Sequence, residues 1–197
     1  MAQVKKPGLR DAILAASFDL FCRRGYAATS MTDIAKMAGT TVSNLYNYFD
    51  SKLTILYEIK TPWLLDQVRM LADEVQKFRT PETKLRRILI GVWSDIPQAD
   101  HGFANALIEA IAVSDSGSDQ GKLREKATLL LREAEGLLTQ MMLEALPDDR
   151  KHLAEGNLLS HIIWMAFDGF VVSRKAVQRD IDAIADLMIK LLLGENT

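Results

Sequence analysis

The chain is poor in the residues that support most catalytic and cross-linking chemistry. Cys22 is its one cysteine in 197 residues, so no intramolecular disulfide can form and a reducing compartment is expected. Cys22 falls in an amphipathic stretch and reads as a small packed residue, not a redox sensor. The three histidines, His101, His152 and His161, are scattered without metal-ligand spacing, and no metal or cofactor is expected. Nucleophile-elbow, paired catalytic and dinucleotide-binding signatures are missing. The run from Gly117 to Lys122 is one residue too short for a phosphate loop, follows no strand, and has Leu123 where a hydroxyl is needed. No catalytic residues, and therefore no enzyme, are expected. The longest apolar stretch, residues 158–172, is broken by His161 and Asp168 and falls short of the ~20 residues that span a bilayer. No secretory apolar core follows the start, so a cytoplasmic location is expected, without a membrane partner.

Apolar residues make up 48% of the chain, enough for a sizeable core. The net charge of −2 hides an asymmetry. Residues 1–52 hold seven bases and four acids, a balance of +3 that leaves −5 for the rest. A basic end on an acidic body orients a molecule toward a polyanion. Lys5 and Lys6 belong to a basic arm at the start.

Residues 30–52, SMTDIAKMAGTTVSNLYNYFDSK, carry the most information. Ser30 and Asp33 have capping-box spacing. Met31, Ile34, Ala35 and Ala38 form a helical apolar stripe that ends at Gly39. Thr40 or Thr41 can cap the next helix, in which Leu45 and Phe49 point inward. Ser43 and Asn47 then lie on the opposite face, flanked by Val42, Asn44, Tyr46 and Tyr48. A helix, a tight turn and a second helix with polar groups outward fits the major groove of DNA. Asn pairs with adenine, Ser serves bases or phosphates, Tyr reaches phosphates and Val42 can touch a thymine methyl. Thr41 belongs to the same surface. Lys52 opens the following helix, where a phosphate would meet both the ammonium and the helix N–H groups.

These residues resemble the TetR family of bacterial transcriptional regulators. The likeness runs from Leu9 to about Ile59 and rests on ILAASFDLF, GYAATSM, DIAKMAG and LYNYFDSK taken together. It implies an all-α homodimer with an N-terminal DNA-binding domain and a C-terminal domain that senses a small molecule. The chain departs from the family at Thr40, where an apolar residue is usual, and at Ser43, where Gly or Pro is frequent. Thr40 is expected to loosen the turn slightly, and Ser43 with Asn44 to give a distinct base preference.

The fold expected is all-α: a three-helix helix-turn-helix domain over residues 1–50 and a helical effector-binding and dimerisation domain over 51–197. A helix from Ser51 toward Phe78 links them and is kinked or broken at Pro62. Further helices are expected from Pro81 to a stop at Pro97, over 100–113, over 122–146, over 149–177 and over 180–193, with a loop at 114–121 and no strand.

Large and polar groups set among apolar rows mark an effector pocket. The candidates are Trp63 and Trp93, then His101, Phe103, Asn105 and Glu109, then Met141, and finally His161, Trp164 and Asp168 on one helical face. Ile181, Ile184, Ala185, Met188, Leu191 and Leu192 form a broad stripe on the last helix. Leu158, Ile162, Met165 and Phe170 add to it from the helix before, suggesting a four-helix dimer interface. The expectation is a dimeric repressor released from a pseudo-palindromic double-stranded DNA operator by an unidentified small-molecule effector. The alternative is a DNA-bound regulator without such an effector, controlled by a protein partner or by abundance.

Overall fold

The computed structural model describes residues 8–100, 102–103, 106, 118–173 and 180–194, of which 118–128, 130–131, 168 and 171–173 are described by backbone alone. Among the described residues every regular element is helical, without a strand. They fall into two compact units, Met1–Pro62 with His101–Arg124 and Trp63–Asp100 with Glu125–Thr197.

In the first unit, helix α1 (Leu9–Arg24) ends at Gly25, whose φ of 82° lies where a side chain would be strained. Tyr26 then folds back on Phe21, ring centroids 5.4 Å apart. Helix α2 (Met31–Met37) starts with the capping box expected of Ser30 and Asp33. It ends in a paired Schellman turn: Gly39 N–H donates to the Lys36 carbonyl and Thr40 N–H to that of Ala35. Helix α3 (Val42–Tyr46) is capped by Thr41. Ile13, Phe21, Ile34, Leu45, Phe49 and Ile55 close the core, joined by Phe103 and Ala106 from much later in the chain. Cys22 packs at the edge of this core. Burial, and then the Asp19 carboxylate, push its thiol pKa up, which keeps it protonated and unreactive.

Helix α4 (Lys52–Val75) runs through Pro62 without a break, and the division between the units falls at this proline. In the second unit, Thr80 caps α5 (Pro81–Ile90), with Pro81 in the first turn. Pro97 does not stop this segment. A π turn at Gly91–Asp95 intervenes, and α6 (Ile96–Ala99) restarts with Pro97 in its first turn, where a missing N–H costs little. A Cβ at Gly91 would overlap the methyls of Leu71, which would have to shift. Helix α7 (Ser118–Ala145) begins four residues before its expected start and takes in 118–121 of the anticipated loop; 114–117, and most of the helix expected over 100–113, lie outside the described residues. A 3-10 segment (Asp148–Asn157) precedes α8 (Leu158–Ser173) in place of one continuous helix. The break is set by Gly156 and Asn157, both left-handed at φ 73° and 63°. Asp180 caps the last helix, α9 (Ile181–Leu193), and Gly194 ends it.

Candidate nucleic-acid interface

Burial divides the α3 region cleanly. Leu45 and Phe49 are almost fully buried, while Ser43, Tyr46 and Asn47 are exposed at positions i, i+3 and i+4. Tyr46 therefore shares the outward face rather than flanking it. Val42 and Tyr48 are half-buried and packed against the core of the unit, so these two expected DNA contacts are turned partly inward. Thr41 is exposed, but its hydroxyl accepts the Asn44 N–H at 3.2 Å as the helix cap.

A short polar ladder crosses this surface. Asn44 Nδ2 donates to Thr40 Oγ1 at 3.0 Å, and Asn47 Nδ2 approaches Asn44 Oδ1 at 3.4 Å. Thr40 does not simply loosen the turn. Its backbone completes the α2 Schellman pair and its hydroxyl holds a side chain of α3. The sequence held the signal, since Thr40 and Asn44 are four residues apart across a helix start.

Lys52 stands differently from the expected free phosphate ligand. Its Nζ donates to the carbonyls of Tyr26 and Thr29, both at 2.7 Å, and sits 4.2 Å from the centre of the Tyr26 ring. Burial lowers its pKa from the ordinary lysine value, and the carbonyls and ring face favour the charged form. Two of its three donors tie the start of α4 to the turn after α1, leaving one that can reach outward. Arg10 pairs with Glu58 and lies 5.4 Å from the Phe49 ring centre, a link between α1 and α4 that the sequence reading missed. Lys5 and Lys6 lie outside the described residues.

The expected effector residues are divided between the two units. Phe103 is in the core of the first unit, edge-on to Phe18 at 5.7 Å, whereas Trp63, Trp93, Met141 and Trp164 belong to the second. Trp63 is half-buried; Trp93, Met141 and Trp164 are buried. Trp93 Nε1 donates to the Ile163 carbonyl at 3.0 Å. The Trp164 indole N–H is buried and has no hydrogen-bond partner among the described residues. His161 does not share its face. It is exposed and bonded to Glu135 at 2.7 Å, because i and i+3 straddle the edge between the buried and outer sides of α8. His101, Asn105 and Glu109, and the side chain of Asp168, lie outside the described residues.

The expected interface stripe also splits. Leu158, Ile162 and Met165 on α8 are 72%, 54% and 62% exposed, and Ile184, Leu187 and Leu191 on α9 are exposed as well. Ala185 and Leu192, with Ile189, are buried on the side of α9 that packs on α5. Phe170 is half-buried and 5.6 Å from the Trp93 ring, and Ile181 and Met188 are half-buried. Leu187 had been overlooked. Among the described residues no helix is long and apolar enough to cross a membrane.

The family model described as bacterial regulatory proteins, tetR family, matches residues 13–59. The transcriptional repressor KstR2 of Rhodococcus jostii is 41% identical over 61 residues, 31% of this chain and 30% of that protein. The repressor KstR of the same organism is 25% identical over 95% of this chain and 84% of that one. The fold is shared with the transcriptional regulator FadR of Bacillus subtilis, solved in complex with stearoyl-CoA. Identity to it is 18%, the TM-score is 0.63, and 95% of this chain and 99% of that one are covered. Over residues 13–59 the chain is similar to the TetR family of bacterial regulatory proteins.

Proposed function

We propose that this TetR-family chain is a DNA-binding transcriptional repressor that acts as a homodimer on a pseudo-palindromic operator and is released by a small-molecule effector. The observation that carries the reading is the α3 surface: exposed Ser43, Tyr46 and Asn47 backed by buried Leu45 and Phe49. Such a face offers hydrogen-bonding groups to base edges while its core side keeps the helix in place. Residues 1–50 read DNA, and residues 51–197 bind the effector and pair the two copies. The apolar rows on α8 and α9 supply the pairing surface, since so much exposed aliphatic area at helical spacing marks an interface.

The effector half of the reading is supported by Trp164. A buried indole N–H without an acceptor costs about 1–3 kcal/mol, and a ligand oxygen would satisfy it. With Phe167 edge-on at 5.0 Å, the surroundings suit an apolar ligand that carries a hydrogen-bond acceptor. The relation to FadR makes a long-chain acyl thioester the first candidate. Release requires the effector to prefer a state whose recognition-helix spacing mismatches successive major grooves.

Selection from randomised duplexes with the purified chain tests the first half. An inverted repeat should be enriched, and failure to enrich any sequence overturns the reading. Adding stearoyl-CoA to the selected complex tests the second. Unchanged DNA affinity excludes that ligand class while leaving the DNA-binding half intact.

A further inference from the structure

We infer that Thr40 is a specificity-determining positioning residue: its hydroxyl holds the amide of Asn44 so that the carbonyl end of that amide faces the major groove and selects an amino-bearing base. The inference rests on the DNA-binding reading above and names the chemistry by which the same surface chooses its sequence.

Three observations combine. The backbone of Thr40 is fixed, because its N–H closes the Schellman turn on the Ala35 carbonyl at 2.9 Å. Asn44 is held twice from the same turn, its backbone N–H by Thr41 Oγ1 at 3.2 Å and its side-chain Nδ2 by Thr40 Oγ1 at 3.0 Å. The remaining end, Oδ1, points along α3 toward exposed Asn47, whose Nδ2 stands 3.4 Å away. That last separation exceeds the usual 2.7–3.2 Å of an N–H···O hydrogen bond, so the contact is weak and yields readily to a better donor. One N–H of the Asn44 amide is thus held by Thr40, which fixes the amide plane, and the acceptor end is presented to a ligand.

Base edges in the major groove differ in what they offer such an acceptor. Adenine N6 and cytosine N4 are donors, whereas guanine N7 and O6 and thymine O4 are acceptors that would oppose Oδ1. Asn44 held in this way discriminates amino from keto bases on the strand it faces. A freely rotating asparagine would not, because it can turn over and offer Nδ2 to the keto bases instead. The hydroxyl at position 40 therefore contributes to sequence choice without touching DNA.

The test is selection from randomised duplexes with the full chain as wild type, Thr40→Val and Thr40→Ser, each followed by titration of single-position operator variants. Valine keeps the branched shape and the backbone N–H, and serine restores the hydroxyl. Wild type should prefer amino to keto bases at one position of each half-site by roughly fivefold or more, the discrimination expected of one oriented hydrogen bond. Thr40→Val should lose that preference at that position alone, with an unchanged Tm and an unchanged dependence of affinity on salt. Thr40→Ser should recover it. Identical selection by wild type and Thr40→Val overturns the inference. So does a uniform weakening on every duplex, which would make Thr40 itself a backbone contact. If the wild type selects no sequence, the DNA-binding reading fails and this inference fails with it. A wild type that selects a sequence without any amino-over-keto position overturns the role of Asn44 alone.

Discussion

The two compact units solve the same problem, packing helices, by different means. In the first, the helices are short and several of their ends are set by side chains or glycines close in sequence: Gly25, Ser30 with Asp33, Gly39 and Thr41. In the second, the helices are interrupted between their caps, by the π turn at Gly91 and the left-handed pair Gly156–Asn157, and apolar rows are left exposed on α8 and α9. Short helices are marginal without caps, so local signals must be strong where a recognition surface has to be held rigid. Long helices draw most of their stability from tertiary burial and tolerate a defect where a neighbour demands it.

If the division of labour is right, the units should respond to mutation independently. The largest effect is expected from Leu191→Asp. This residue is 60% exposed on α9, so a charge there should be tolerated by the single chain and intolerable in a paired apolar face. Sedimentation should show a folded monomer, and operator affinity should fall by at least about 100-fold, a loss of ~2.7 kcal/mol or more. A dimer with wild-type affinity would remove these rows from the interface.

Next is Gly91→Val, which forces side-chain atoms into the space of Leu71 and should destabilise the second unit by about 1–3 kcal/mol. Hydrogen exchange should quicken in α5 and the C-terminal half of α4 and stay unchanged in α1 to α3. Equal loss of protection in both units would show that they unfold as one.

Lys52→Met keeps much of the contact with the Tyr26 ring and removes the two hydrogen bonds to carbonyls. It should lower the stability of the first unit by about 1–3 kcal/mol, because the Thr29 carbonyl loses the ammonium while that of Tyr26 keeps the Thr29 N–H. The salt dependence of DNA affinity decides its second role. A slope unchanged from wild type makes Lys52 purely structural, and a slope smaller by about one makes its third donor a phosphate contact.

The smallest effect is expected at Asp33. The Ser30 hydroxyl and then the Ser30 backbone N–H hold this carboxyl below its usual range. A carboxylate depressed in the folded state stabilises fully above its unfolded pKa of ~3.9 and loses that contribution as pH falls through the lower folded value. Asp33→Asn should therefore lower Tm slightly at neutral pH and make no difference in strong acid. A constant difference across pH would show that the charge is irrelevant to the cap.

These contrasts follow what was legible in the sequence. The capping box and the Thr80–Pro81 start are local, and each is where the pattern put it; Asp180, read as the first residue of the last helix, is its cap. The Gly156–Asn157 break was equally local, but the apolar periodicity on both sides concealed it. The π turn could not be read, because the apolar spacing of Leu85, Ile88, Leu89, Val92 and Trp93 continues through it as an ordinary helix pattern. At the candidate site the outward face of α3 was legible from the spacing of Leu45 and Phe49. The engagement of Lys52 was not, because its partners are backbone carbonyls 23 and 26 residues away with no side-chain signature. The last helix was read as one broad stripe because apolar residues cover two of its sides. Only the packing of α5 reveals that Ala185, Ile189 and Leu192 face inward and Ile184, Leu187 and Leu191 outward.

The central claim is that the exposed face of α3 reads a DNA sequence. The most direct measurement is the affinity of wild type and Asn47→Ala for the selected duplex and for a scrambled one, at a single stated salt concentration. The account predicts that wild type prefers the selected duplex by about 1000-fold or more. It also predicts that Asn47→Ala loses about 1–3 kcal/mol of that preference while binding scrambled DNA as wild type does. Equal wild-type affinity for the two duplexes, or an Asn47→Ala variant with undiminished preference, would contradict it.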